Sequence, residues 1–212
     1  MQQVVDAAKL FGAIHTHVSG ELMQLMDGFY HNIEDGLFEL VYTNSDQTQQ
    51  RYLAELMKEL RFRRKHLLKT FGKRITAAGR GWLTHHQDGP ELMEERIQAN
   101  ELASKCAAHF GPVLQTIAER TAHATGRQVM RCSLPVSPEQ VSYHFVISCR
   151  NVRFDPYSIA TVQDLFSRFV LERLGAIYGR INTELEQGGF CTLEEIEEFP
   201  ELKSMSAIPN SA

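Results

Sequence analysis

Apolar residues recur at steps of three and four positions along most of the chain, which is the spacing of amphipathic helices. The first such run predicts one long helix over residues 19–43, with Ser19 as a candidate N-cap. Gly36 lies inside this run. Two explanations stay open for it: a tolerated helix glycine, or the close approach of a neighbouring helix. The apolar positions of the run are Leu22, Leu25, Met26, Phe29, Ile33, Leu37, Leu40 and Val41.

A polar turn over residues 44–48 separates this helix from a second long helix, predicted over residues 49–78. Arg64 falls on the apolar stripe of the second helix, where an apolar residue is expected. Its stem could run along the core while its head stays in water. Alternatively, it could pair with a carboxylate of the first helix and fix the register of the hairpin. The candidate partners are Glu34, Asp35 and Glu39.

Two shorter helices are predicted next, over residues 91–110 with Asp88 as the cap, and from Pro112 to a stop at Gly126. Residues 127–153 are the least helical stretch, because two prolines occur there and apolar residues alternate with polar ones. This alternation fits one short strand or an extended crossing segment, and the extended segment is favoured because a lone strand would have no partner. The alternating positions are Val141, Tyr143, Phe145 and Ile147.

The last long helix is predicted from Pro156 to a stop at Gly188 and Gly189, with Asp155 as its cap. Its apolar face is wide, which indicates a central, well-covered helix. Thr192 and Glu195 have the spacing of a capping box and predict an acidic mini-helix that ends at Pro200. Residues 204–212 are expected to be disordered.

These elements predict an all-α fold, a helical bundle built on two long antiparallel helices plus a long C-terminal helix. We expect an N-terminal segment over residues 1–18, a helical domain over 19–188 and an acidic amphipathic tail over 189–212. The chain of 212 residues is long enough for one substantial core.

The net charge of −4 conceals two opposed patches. Residues 58–80 contain nine Lys or Arg and one acid, whereas residues 184–201 contain seven Glu and no base. On a helix, Arg61, Lys65, Lys69 and Lys73 are four positions apart and form one positive ridge. The candidate residues for binding a partner or an anion are Arg61, Arg63, Lys65, Lys69, Lys73 and Arg74.

Three interpretations of this ridge stay open: a solvated helix face, a face neutralised by an acidic surface, and a site for nucleic acid or an anionic nucleotide. The acidic surface could belong to a partner or to the chain's own tail. We expect residues 192–202 to fold back and mask the ridge. The acidic total charge argues against non-specific binding of nucleic acid.

Signatures of catalysis and cofactor binding are lacking in the sequence: it contains no phosphate-binding loop, nucleophile elbow or HExxH motif. His15 and His17 lack further ligands at metal spacing, so we expect no metal and no cofactor.

The four cysteines form no CxxC pair and are interpreted as reduced thiols of a cytoplasmic protein. No apolar run is long enough for a transmembrane helix, so we expect no membrane insertion.

Three segments of the chain resemble one bacterial family of unknown function: Glu34–Leu40 (EDGLFEL), Met57–Arg64 (MKELRFRR), and Glu94 and Glu95 with Asn100 and Lys105. A looser match follows Asp155 and Pro156, through Phe169, Leu174, Tyr178 and Asn182. Members of this family are often labelled thymidine phosphorylase, and its long members continue into a PilZ-like β-barrel associated with cyclic di-GMP.

The resemblance implies a helical, intracellular bacterial protein in a signalling or regulatory setting, and it brings no catalytic residues to transfer. This chain is expected to be a compact member. Together with the charge pattern, the resemblance favours a non-enzymatic regulatory or adaptor protein that acts through another protein. The alternative is a binder of nucleic acid or a cyclic dinucleotide on the basic helix 58–80. A homodimer also stays open.

Overall fold

The computed structural model describes residues 6–83, 93–150, 152 and 154–198, and most of these residues lie in α-helices. The predicted all-α bundle is confirmed, and these residues contain no β-strand. Short 3-10 turns occupy Gly79–Trp82, Arg131–Ser133 and Leu171–Arg173. The helices are α1 (Ala7–Thr43), α2 (Gln47–Ala78), α3 (Met93–His109), α4 (Gly111–Thr125), α5 (Pro138–Cys149), α6 (Pro156–Phe169), α7 (Gly175–Gln187) and α8 (Leu193–Glu198).

Helices α1 and α2 form the predicted antiparallel hairpin. The contacts between them run in opposite directions along the chain: Arg61 hydrogen-bonds Glu34, Arg64 hydrogen-bonds Asp27, and the main-chain oxygen of Thr76 contacts the ring of His15. Asp46 caps α2 by accepting hydrogen bonds from two backbone N–H groups of its first turn. The hairpin thus sets one outer wall of the bundle.

The first helix begins at Ala7, so the prediction of a start near Ser19 was wrong. Asp6 is the N-cap, and its carboxylate accepts hydrogen bonds from the backbone of Ala8 and Lys9. Phe11, Ile14 and Val18 continue the buried stripe towards the N-terminus at the same spacing. The helix is therefore a little over three turns longer than the sequence pattern predicted, and the burial of these side chains stabilises the extension.

The predicted extended segment is the main error of the sequence-based fold, because residues 138–149 form helix α5. Ser137 caps this helix and Pro138 occupies its first turn. Helix α5 packs against α3 and α2 and is buried on nearly every side, so polar and apolar residues alike face the interior. A helix without a solvent face has no amphipathic period to detect.

The C-terminal helix, predicted as one element over 156–187, is two helices joined by a 3-10 turn. Val170, Leu171 and Leu174 are all buried at this break, so the 3-10 turn belongs to the packed interior. Gly36 of α1 lies beside Leu165 and Phe169 of α6, so a neighbouring helix does approach it.

Two predicted helix ends are confirmed by left-handed glycines, Gly126 after α4 and Gly189 after α7. The capping box of α8 is formed: Thr192 N–H donates to Glu195, and Glu195 N–H donates back to the Thr192 hydroxyl. The predicted cap at Asp88, the stop at Pro200 and the disordered end lie outside the described residues.

Candidate partner-binding face

The outward side of α2 presents four lysines and one phenylalanine, which we call the α2 lysine face. At 3.6 residues per turn they fall within an arc of about 80° on the side opposite the buried leucines. All five side chains are exposed, and Phe62 is 84% exposed. The members are Lys58, Phe62, Lys65, Lys69 and Lys73.

Lys65, Lys69 and Lys73 carry charge that the described part of the chain does not neutralise, since none of its carboxylates comes within 4.0 Å of their amino groups. They stand on successive turns of one helix, so their fields add along a line. The predicted ridge is therefore present as a row of exposed side chains on α2. These three lysines are its members without an ion-pair partner among the described residues.

The two arginines predicted for the same ridge are paired within the chain. Arg61 donates from Nε and Nη2 to the two carboxylate oxygens of Glu34, at 3.0 and 2.5 Å. These hydrogen bonds hold the pKa of Glu34 below its ordinary value. Arg63 donates to Glu59, one turn earlier on α2, at 2.8 Å. Neither arginine offers an uncompensated charge to a partner.

Arg64 does reach across to the first helix, but its partner differs from the predicted set of Glu34, Asp35 and Glu39. Its Nη2 donates to Asp27 at 2.7 Å. The first helix is antiparallel, and a residue one turn further along α2 meets a residue about two turns earlier on α1. Glu34 is consequently taken by Arg61, and Arg64 by Asp27.

Arg74, the sixth predicted ridge residue, lies on the inner side of α2 rather than on the α2 lysine face. Its guanidinium carbon is 5.7 Å from the centre of the Tyr143 ring on α5. Arg96 of α3 stacks on the same ring, with its guanidinium carbon 3.7 Å from the ring centre. About one turn before Arg74, α2 carries Thr70 instead of a lysine, so the row of lysines does not lead to Arg74.

A buried histidine adjoins this pair of arginines, and no pattern in the sequence pointed to it. His144 follows Tyr143 on α5, and both of its ring nitrogens are buried without a hydrogen-bond partner. Burial, and then the charges of Arg74 and Arg96, lower its pKa from 6.5 to about 3. His15 of α1 contributes in the same direction, and burial lowers its own pKa as well.

The acidic mini-helix does not lie on the basic ridge in the described residues. It is bound to α4, where the nearly buried Arg120 donates to Glu195 at 2.9 Å and lies 3.6 Å from Glu186. The N–H of Leu193 donates to Glu119 of α4 as well. The prediction that this tail masks the ridge is therefore wrong for residues 192–198, since α4 supplies the cation instead.

A cavity of about 210 Å³ lies between α3, α5 and α6. Its wall includes Glu94 and Glu95, and Glu95 forms an ion pair with Arg150 at 3.0 Å. The thiol of Cys149 lines the interior, and burial raises its pKa to about 12. A thiol held in this protonated state is a poor nucleophile.

Among the described residues, no three His, Cys, Asp or Glu side chains are grouped so that they could hold a metal ion. Over the same ranges, none of the helices combines the length and the apolar character that crossing a bilayer requires.

The family model for the N-terminal domain of DUF1631, a protein of unknown function, matches residues 6–189. No curated protein matches the chain, and no solved structure matches it either. The matched range contains the α1–α2 hairpin, the α2 lysine face and the helices through α7. The chain therefore belongs to the DUF1631 family, and residues 6–189 are the N-terminal domain of that family.

Proposed function

We propose that this protein is a non-enzymatic regulatory or adaptor protein, and that it binds an acidic protein partner through the α2 lysine face. The sequence contains no signature of phosphate transfer, acyl transfer or zinc hydrolysis, which is in keeping with a binding role. A signalling setting is the one that the sequence resemblance favours.

The observation that carries this proposal is the division of the basic run into paired and unpaired cations. Arg61, Arg63 and Arg64 have carboxylate partners within the chain. Lys65, Lys69 and Lys73 have none among the described residues, and they align on one exposed side. Complementary charge steers association and fixes the register of a complex, so an unpaired row of lysines suits an acidic surface.

Phe62 supplies the apolar part of the same surface. It stands on the α2 lysine face between Lys58 and Lys65 and is the most exposed of the large apolar side chains described. Aromatic side chains are enriched among the residues that dominate binding energy, because they bury a large area at a small entropic cost. A partner that covered Phe62 would bring its acidic groups over the neighbouring lysines.

Capture from a native lysate of the source organism at low and high salt tests this function. The baits are the wild type, a variant with Lys65, Lys69 and Lys73 changed to Glu, and a control with Lys105, Arg168 and Arg173 changed to Glu. The three control positions are exposed on other elements and receive the same change in charge. We expect the wild type and the control to capture the same acidic protein, with salt sensitivity, and the lysine-face variant to lose it. Equal capture by all three baits would reject the proposal.

A second candidate is the binding of nucleic acid or a cyclic dinucleotide on the basic helix 58–80. The exposed Phe62 beside a row of lysines favours it, because bases stack on aromatic rings next to cations. Changing Lys65, Lys69 and Lys73 to Glu should abolish the binding of a labelled single strand and of a labelled cyclic dinucleotide, together with its salt dependence. Unchanged affinity for both probes would reject this candidate.

A further inference from the structure

The cavity between α3, α5 and α6 has an apolar interior that is large enough for a small molecule. Its volume is about 210 Å³. An apolar cavity of about 150 Å³ holds benzene, so this one has room for an aromatic ring and a short side chain. The apolar lining consists of Phe145, Val146, Val152, Ile159 and Val162.

Polar side chains from two helices line the side on which the cavity opens to solvent. Glu94 and Gln98 are one turn apart on α3, and Gln163 lies on α6. Within the described ranges, none of these three side chains has a hydrogen-bond or ion-pair partner. A primary ammonium group has three N–H donors, and a carboxylate with two amide oxygens supplies acceptors for them.

The charge at this opening is negative. Glu95 is paired with Arg150, whose Nε lies 3.0 Å from its carboxylate, so these two charges cancel. Glu94 has no such partner in the described part of the chain, and its carboxylate remains the uncompensated charge of the described lining. A cleft lined by one sign of charge attracts the opposite sign, so a cationic ligand is favoured here over an anionic one.

We propose that this cavity binds a small aromatic molecule with a primary ammonium group. The ring lies among the apolar side chains, and the ammonium group lies at Glu94, Gln98 and Gln163. Burial of the ring supplies most of the affinity, and the polar groups fix the orientation and the charge. None of the described lining residues lies on α2. The site is therefore separate from the α2 lysine face, and the failure of either proposal leaves the other standing.

Methyl NMR titration of the full chain with phenethylamine, phenethyl alcohol and phenylpropionate tests the site. The three probes share one ring and differ in the charge of the side chain. We expect phenethylamine to shift the methyl signals of the cavity with a Kd on the order of a millimolar, the alcohol to bind more weakly and the carboxylate to bind most weakly. Signals of Ile14 and Val18 in α1 should stay in place. The cavity methyl groups belong to Val146, Val152, Ile159 and Val162.

Absence of shifts at the cavity methyl groups would overturn the proposal. Equal affinity for all three probes, or the tightest binding by the carboxylate, would overturn it as well, because the opening would then not select a cation.

A matched pair of variants tests the charge of Glu94. Glu94→Gln removes the charge and keeps the size of the side chain. Glu101→Gln makes the same change two turns further along the same side of α3, at an exposed position outside the cavity lining. We expect Glu94→Gln to weaken the binding of phenethylamine by about two- to fivefold and to leave the alcohol unchanged. Glu101→Gln should change neither, and wild-type affinity for phenethylamine in Glu94→Gln would contradict the proposal.

A second pair tests the apolar interior without altering a charge. Ile159→Phe fills the cavity, and the control Ile147→Phe adds the same bulk at a half-buried position of α5 that does not line it. We expect Ile159→Phe to weaken phenethylamine and the alcohol by roughly tenfold or more, because the new ring occupies the space of the ligand. An Ile159→Phe protein that keeps the thermal transition and the affinity of the wild type would contradict the proposal. Should Ile159→Phe not fold, the comparison of Glu94→Gln with Glu101→Gln decides.

Discussion

Arg61 of α2 and Glu34 of α1 form a two-pronged ion pair, with Nε 3.0 Å from Oε1 and Nη2 2.5 Å from Oε2. This pair joins the two long helices at the point where the basic run begins. It also removes Arg61 from the charge available to a partner. Further along α2, the paired arginines are followed by Lys65, Lys69 and Lys73 of the α2 lysine face.

The ion pair predicts how Glu34 titrates. Because the hydrogen bonds from Arg61 lower the pKa of Glu34, the carboxylate should titrate below its ordinary value in the wild type and return towards it in Arg61→Gln. The carboxylate carbon shift of Glu34, followed by NMR against pH, measures this. Arg51→Gln, which breaks the Arg51–Glu55 pair on the same helix, is the control and should leave Glu34 unchanged. An identical titration in wild type and Arg61→Gln would contradict the geometry.

Buried His144 predicts a loss of stability in acid. Its pKa is about 3 in the folded protein and 6.5 as a reference, so the unfolded chain binds a proton that the folded chain does not between these values. Stability should therefore fall as the pH drops from 6.5 towards 3, by at most about 1.4 kcal/mol per pH unit from this group. Burial is the main reason that its pKa is low, and the charges of Arg74, Arg96 and His15 act in the same direction.

Urea unfolding at a series of pH values measures this slope. His144→Gln should flatten it, whatever the variant does to stability at neutral pH, and the exposed control His66→Gln should keep it. If His144→Gln retains the wild-type slope, the histidine is not the group that takes up the proton on unfolding.

The surroundings of two helix glycines predict opposite outcomes for alanine. Nothing lies within 4 Å of a methyl group placed on Gly20 of α1, so Gly20→Ala should stabilise the fold by about 0.5–1 kcal/mol. On Gly72 of α2 the same methyl would lie 3.0 Å from the sulfur of Met23, so the gain should be smaller or absent. Chemical denaturation compares the two variants. A larger gain for Gly72→Ala would contradict the packing of α1 on α2.

Arg120 should be the anchor of the acidic mini-helix α8. Its side chain is 5% exposed and pairs with Glu195 and Glu186, so Arg120→Met removes the cation that holds α8 against α4. Amide hydrogens of residues 193–198 should then exchange faster, while those of the α1–α2 hairpin stay protected. Arg173→Met, at an exposed position, is the control. Equal protection of α8 in both variants would show that Arg120 does not anchor it.

The sequence pattern predicted the helices that have one solvent-exposed face and one buried face. The two helices of the hairpin, α4 and α8 each have a polar side and an apolar side. Their helical period, the glycine after α4 and the capping box of α8 locate them in the sequence. Helix α5 escaped prediction because its surroundings are protein on nearly all sides. The break between α6 and α7 was missed since no proline or polar run marks it.

The candidate site, too, was only partly predictable from the sequence. Helical spacing alone placed Lys65, Lys69 and Lys73 on one exposed line. It could not show that Arg61 and Arg64 are paired across the hairpin, because those pairings depend on the register of two helices. The cluster of Arg74, Arg96 and Tyr143 depends on how three helices meet, and no local pattern in one sequence encodes that.

The central claim is that the α2 lysine face is where an acidic protein binds, and site-specific photocrosslinking tests it most directly. A photoreactive amino acid replaces Phe62 in one protein and Lys105 of α3, an exposed residue on another helix, in the second. After irradiation in cells of the source organism, we predict one discrete adduct with an acidic protein from position 62 and none from position 105. No adduct from position 62, or the same adduct from both positions, would contradict the account.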